Sequence, residues 1–256
     1  KFPKKFIQCG IAEQNMASVA GGIASMGKIV IINSFSIFLL RALEQIRLSI
    51  AYSNLNVKII GGHTGIDVGP DGASAQCIED IACFRSLPNM TVIAPCDAIE
   101  MEKVLLAILK YNKPVYIRSG RSPIKQIFPI KKKFEIGKGT LLRDGKDLTL
   151  IACGIMTSRC MAAAEIVKDK YNIDVRVVNM SSIKPIDKNL IIQSAKKTKL
   201  IISCEDANII GGLGGAVSEV LTDNYPTKLI RIGINDTYGE SGDPDDLIKK
   251  YKIDTQ

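Results

Sequence analysis

The chain has 256 residues, enough for one large or two modest domains, and 46% of them are hydrophobic, ample for sizeable buried cores. No apolar run approaches the roughly 18 residues that a membrane span needs, and no charged stretch leads into an apolar segment as in a signal peptide, so no membrane is expected; the seven cysteines read as reduced, mostly buried thiols, as expected of a cytoplasmic protein. The formal charge of +8 raises nucleic acid as a partner. The basic residues are spread along the chain, however, and the densest run, Lys131–Lys133, falls in an exposed connector. A lysine-rich solvated surface, part of which could attract a phosphorylated substrate, accounts for the charge better, and no nucleic acid is expected.

The seven cysteines form no Cys-x-x-Cys pair, and their odd number argues against a closed disulfide framework. With one histidine in the whole chain, a zinc site is not expected, nor any other metal site of the chain's own.

Short β-branched runs alternate with helical patterns. In chain order the first half predicts helix 14–26, strand 28–33, helix 37–52, strand 57–61, helix 75–85, strand 91–94, helix 98–110 and strand 114–118. Apolar strands followed by helices imply parallel sheets covered on both faces. The rhythm breaks at about Ser119, where Pro123, Pro129, the lysine triplet and several glycines mark a boundary. It resumes with strand 148–152, helix 158–170, strand 174–179, helix 188–195, strand 199–204, helix 214–222, strand 228–232 and a final helix 244–251. The fold class is therefore α/β, with two domains, each a mainly parallel sheet flanked by helices: 1–120, a linker 121–147, and 148–256.

Four segments could carry chemistry. Gly10-Ile11-Ala12-Glu13-Gln14-Asn15-Met16 sets a glutamate at a helix start, where the helix dipole alone would favour it by roughly 0.3–1 kcal/mol. His63-Thr64-Gly65-Ile66-Asp67-Val68-Gly69-Pro70-Asp71-Gly72-Ala73-Ser74 is a glycine-rich loop after a parallel strand, where open α/β sheets place their ligands. Arg118-Ser119-Gly120-Arg121 also ends a strand and could offer a guanidinium fork to phosphate or carboxylate, or be an exposed basic loop. Glu205–Gly215 superficially suggests a dinucleotide fingerprint, but Gly212 and Gly214 would require a glycine at Val217. Close helix packing explains those glycines better.

Together these segments, the run Pro88–Asp97 and the terminal Tyr238-Gly239-Glu240-Ser241-Gly242 resemble the transketolase family in order and spacing, across essentially the whole chain. The resemblance is closest to the C-terminal subunit of split, two-polypeptide transketolases. It implies a thiamine-diphosphate-binding fold of the pyrimidine type followed by a transketolase C-terminal-like domain. The family holds the diphosphate of thiamine diphosphate through Mg²⁺ (or Ca²⁺), with a Gly-Asp-Gly motif and a downstream asparagine. No Gly-Asp-Gly occurs here. The resemblance thus implies that a partner N-terminal subunit holds the diphosphate and metal, in a heterotetramer with sites at subunit interfaces. The family's first strand and helix of the pyrimidine domain are expected ahead of Lys1.

Residue by residue, the resemblance makes Glu13 the glutamate that contacts the aminopyrimidine ring nitrogen and sets its tautomer, and makes Phe35 and Phe38 the aromatics flanking that ring. It makes His63 the histidine that bonds donor hydroxyls, Asp71 the reader of a sugar hydroxyl, and Arg118 the arginine that grips a sugar phosphate. The implied activity is transfer of a two-carbon ketol unit from a ketose or its phosphate to an aldose acceptor. Departures fall at Pro70, where the family often has an acid, at Ala75 and Ala207, where it often has histidine, and at Arg41, where an aromatic is common. They leave ordinary sugar choice open. A 2-oxoacid dehydrogenase β-type subunit, a relative of deoxyxylulose-phosphate synthase, and a non-catalytic assembly subunit are the competing readings.

Overall fold

The computed structural model describes residues 2–255; Lys1 and Gln256 lie outside the described residues. The first domain opens with helix α1 (Glu13–Ser25) and strand β1 (Val30–Phe35), followed by α2 (Ser36–Arg41) and the short α3 (Leu43–Gln45), which runs into a π-helical turn, Ile46–Tyr52. Strand β2 (Val57–Gly62), α4 (Asp80–Ser86), β3 (Thr91–Ile93), α5 (Ala98–Ile108) and β4 (Val115–Arg118) complete it. The second domain contains β5 (Thr140–Arg143), β6 (Leu148–Ala152), α6 (Met156–Tyr171), β7 (Val175–Asn179), β8 (Ser182–Lys184), α7 (Lys188–Thr198), β9 (Leu200–Asn208), α8 (Leu213–Asn224), β10 (Lys228–Ile234) and α9 (Pro244–Lys250).

Two five-stranded sheets result, in the orders β1-β2-β4-β3-β8 and β10-β9-β6-β7-β5. All pairings are parallel except those of β8 with β3 and of β5 with β7. Strands β4 and β7 are buried at every residue, as expected of parallel strands covered on both faces. One apolar cluster runs through both domains, joining Ile59, Phe84 and Met90 to Met180, Ile183 and Leu213.

Three features differ from the sequence expectation. The helix expected over 37–52 is broken into α2, α3 and the π turn. There Gly21 of α1 lets Ser49 approach so closely that an added Cβ would stand 2.6 Å from its carbonyl oxygen. The expected linker 121–147 contains β5, an edge strand of the second sheet, and β8 crosses back to extend the first sheet. Both are three or four residues long, too short for a period-2 pattern to show.

The two domains are also pinned by polar groups. The buried Glu100 carboxylate accepts hydrogen bonds from Asn179 Nδ2 at 3.0 and 2.9 Å, Ser181 Oγ at 2.6 Å and the Cys96 amide at 2.7 Å. A cleft of about 310 Å³ remains between the domains, lined by Thr64, Asp97, Arg118, Ser122, Ile155 and Asp206 among others.

Candidate active site

Four of the expected site residues sit at the carboxyl ends of β1 and β2 or at the start of α1, the edge where open α/β sheets bind ligands. Glu13 is the first residue of α1, and its Oε1 accepts a hydrogen bond from Ser34 Oγ at 3.1 Å. Ser34 precedes Phe35, the last residue of β1, so the carboxylate is tied to the strand end that carries the aromatic group.

Phe35 and Phe38 stack with ring centroids 5.4 Å apart and planes 7° from parallel, while Phe35 and the His63 imidazole lie 3.5 Å apart at 17°. The three rings therefore form a nearly parallel series. The Phe38 side of it is 43% exposed and offers a flat surface to a heterocycle. His63 follows β2 at the head of the glycine-rich loop in a left-handed conformation, φ 55°, uncommon outside glycine.

That loop is held from several sides. The Gly65 amide donates to Cys77 O at 2.7 Å, and Gln76 Nε2 donates to Glu240 O at 2.9 Å, which docks the terminal Tyr238–Gly242 segment. Arg121 Nη1 donates to Val68 O at 2.8 Å and to Asp71 Oδ1 at 3.1 Å. The pKa of His63 is lowered, first by partial burial and then by the Arg121 charge, with Asp71 opposing. Arg121 and Asp71 thus both act on the imidazole electrostatically, and a neutral ring can accept as well as donate a hydrogen bond.

Arg118, expected to grip a sugar phosphate, is only 4% exposed, and its guanidinium pairs with two buried carboxylates. Nε donates to Asp80 Oδ2 at 2.9 Å, Nη1 pairs with Asp206 Oδ1, and Nη2 donates to Asp206 O at 3.3 Å. Arg121, three residues on and exposed beside Asp71, is the arginine with an accessible fork. Both arginines belong to one motif; strand position separates them, since Arg118 closes the fully buried β4 and Arg121 lies beyond it.

Asp80, Tyr116 and Ser36, which the sequence did not single out, complete the surroundings together with residues of the named loop segments. Asp80 also accepts from the Tyr116 hydroxyl at 2.8 Å, and Tyr116 bonds Ser36 Oγ at 2.7 Å. Asp67 is buried with one oxygen on the Ser122 amide at 3.3 Å and the other without a partner. Burial, then the nearby Asp206, pushes its carboxyl up to about 6. Glu205 caps α8 by accepting from the Leu213 and Gly214 amides at 2.7 and 2.8 Å, and burial raises it to about 7. A Cβ on Gly214 would meet Ser203 Oγ at 2.8 Å, so the glycines here serve close packing, as expected from the sequence. Ala207 is fully buried, Pro70 and Arg41 are exposed, and Ala75 is half-buried.

A carboxylate anchored beside an exposed aromatic platform fits the aminopyrimidine ring of thiamine diphosphate. No group of three or more His, Cys, Asp or Glu suited to a metal ion occurs among the described residues. No described helix is long and apolar enough to cross a membrane.

Residues 1–126 match the transketolase pyrimidine-binding domain, and residues 137–256 match the transketolase C-terminal domain. A protein of Methanocaldococcus jannaschii named as a transketolase C-terminal section is 48% identical over 259 residues, covering 99% of this chain and 80% of that protein. The 6-deoxy-6-sulfo-D-fructose transketolase subunit SqwH of Clostridium sp. is 39% identical, covering 99% and 79%. Among solved structures, a split-gene transketolase described as an inactive β4 tetramer superposes with a TM-score of 0.91 at 42% identity, covering 99% of this chain and 81% of that one.

Proposed function

The chain belongs to the transketolase family, and from that premise we propose that it is the aminopyrimidine-side subunit of a split, thiamine-diphosphate-dependent transketolase. In this reading it transfers a two-carbon ketol unit from a ketose or ketose-phosphate donor to an aldose acceptor. It does so only with an N-terminal subunit that holds the diphosphate and its Mg²⁺ or Ca²⁺. A cytoplasmic heterotetramer, with sites at subunit interfaces, is part of the same proposal. The observation that carries it is the Glu13 carboxylate, tied by Ser34 to the strand end that bears the Phe35–Phe38–His63 series.

Each residue then has a physical task. Glu13 holds a proton in place at the ring nitrogen of the aminopyrimidine, fixing the tautomer that faces the reacting centre. Phe38 presents its ring to the heterocycle, and Phe35 backs it. The bound cofactor supplies the carbon nucleophile. His63, placed next to this platform, bonds the hydroxyls of the donor. Asp71 orients a sugar hydroxyl, and Arg121 rather than Arg118 takes the terminal anionic group of the substrate. The sulfonated sugar in the name of the Clostridium relative supports a terminal anion as a shared feature of such donors.

The test is Glu13→Gln in the complex assembled with the partner. Loss of ketol transfer by roughly 10²–10⁴-fold, the range for a positioned proton-handling group, is the expected result. Undiminished transfer would remove the proposal's basis.

A further inference from the structure

A continuous buried hydrogen-bond chain connects the second domain to the aromatic platform of the first. It begins at Asp206 on β9, which pairs with Arg118 Nη1. Arg118 Nε donates to Asp80 Oδ2, and the Tyr116 hydroxyl donates to the same oxygen at 2.8 Å. Since that uses Tyr116's single proton, the 2.7 Å contact with Ser36 Oγ has the serine donating. Ser36 is the first residue of α2, directly after Phe35 and two residues before Phe38.

All five side chains are nearly or fully buried, so each bond is shielded from competing water. The Tyr116 ring is held in turn by stacking on Phe84, centroids 3.8 Å apart. Gly61 of β2 makes room for the crossing: a Cβ there would collide with both Ser36 Oγ and the Tyr116 hydroxyl. At its other end Asp206 lies against Gly65, two residues after His63, where any Cβ would overlap its carboxylate. Asp206 therefore touches the His63 loop directly and reaches the Phe35–Phe38 turn through four intermediaries.

We propose that Asp206 is a positioning residue, through which the second domain sets Phe35 and His63 in register by way of Arg118, Asp80, Tyr116 and Ser36. The consequence for cofactor binding rests on the function proposed above; the positioning itself does not. It gives the second domain, which contributes none of Glu13, Phe35, Phe38 or His63, a direct mechanical part in the site.

The single histidine of the chain makes the test clean. Stacked on Phe35, its ring protons should be displaced upfield in the proton spectrum of the full chain, and Phe35→Leu gives the position they take without that ring. Ser36→Ala and Tyr116→Phe, which remove one hydroxyl each, and Asp206→Asn should all move the His63 signals towards the Phe35→Leu position. In the complex with the partner, the same substitutions should weaken thiamine diphosphate binding about tenfold, the effect of losing one well-placed hydrogen bond. A purely structural role would lower the melting temperature and leave the His63 signals in place, and that result overturns the inference; Ser36→Ala, the mildest change, decides it if the others unfold. Failure of the unsubstituted complex to bind the cofactor would instead count against the proposed function, with the His63 shifts still reporting on the positioning.

Discussion

Asp71 and Arg121 face each other across 3.1 Å at the mouth of the His63 loop, and they bias the imidazole in opposite directions, Arg121 lowering its pKa and Asp71 raising it. Both side chains are partly exposed, so the pair contributes little to stability, typically under about 1 kcal/mol. Little is therefore lost if the pair opens, as the role proposed for Arg121 toward a substrate anion requires.

Replacing Arg121 with glutamine should accordingly raise the His63 pKa, because a positive neighbour that disfavours the imidazolium is lost. Asp71→Asn should lower it. An NMR titration of the one histidine reads both. In the assembled enzyme, Arg121→Gln should raise KM for a phosphorylated or sulfonated donor far more than for the same sugar without its anion.

Arg118 should behave differently. Its removal leaves Asp80 and Asp206 buried without their counter-charge, and such losses cost about 3–5 kcal/mol. Arg118→Met should lower the unfolding midpoint strongly, whereas Arg121→Gln should barely change it. A KM effect without destabilisation at Arg118 would restore it as the substrate arginine.

Asp67 predicts a pH dependence. Its carboxyl is raised from 3.8 to about 6 by burial and then by Asp206, so the fold holds its proton more tightly than the unfolded chain does. Stability contributed at this position therefore falls as pH rises from about 4 to about 6, and the full penalty, on the order of 3 kcal/mol, persists above that. Asp67→Asn should raise the unfolding midpoint at pH 8 and lose that advantage near pH 4. An equal gain at both pH values would contradict the assignment.

Glu100 predicts how the domains are joined. Its carboxylate satisfies Asn179 and Ser181 of the second domain together with the Cys96 amide of the first. Glu100→Ala strands all three in a buried site and should cost several kcal/mol, about 1–3 for each group left unpaired. Limited proteolysis within 121–139 should accelerate in parallel if the domains separate.

The two-domain α/β organisation is legible from the sequence because buried parallel strands write themselves as short, β-branched, mainly apolar runs, as β2 and β7 do around the single charges of Lys58 and Arg176. The helix expected over 98–110 is found over Ala98–Ile108, where the structure adds an Asp97 cap on the Glu100 amide. Strands β5 and β8 escape because antiparallel edge pieces of three or four residues carry no periodicity of their own. Glu13, Phe35, Phe38, His63 and Asp71 stand out only through the family resemblance: singly, each fits a capping acid, a core aromatic or a loop residue. What separates Arg118 from Arg121 is burial beside Asp80 and Asp206, residues 38 and 88 positions away from Arg118 in sequence, and no local pattern encodes such a meeting. Ala75 and Ala207 are simpler: the chain lacks histidine at both, and Ala207 is packed into the core.

The most direct measurement is calorimetric titration of Mg²⁺–thiamine diphosphate into this chain alone and then into its complex with the N-terminal transketolase subunit. Saturable binding only in the complex, weakened by Glu13→Gln, is the expected result. Tight binding by this chain alone would show that it holds the diphosphate itself and would contradict the split-site account.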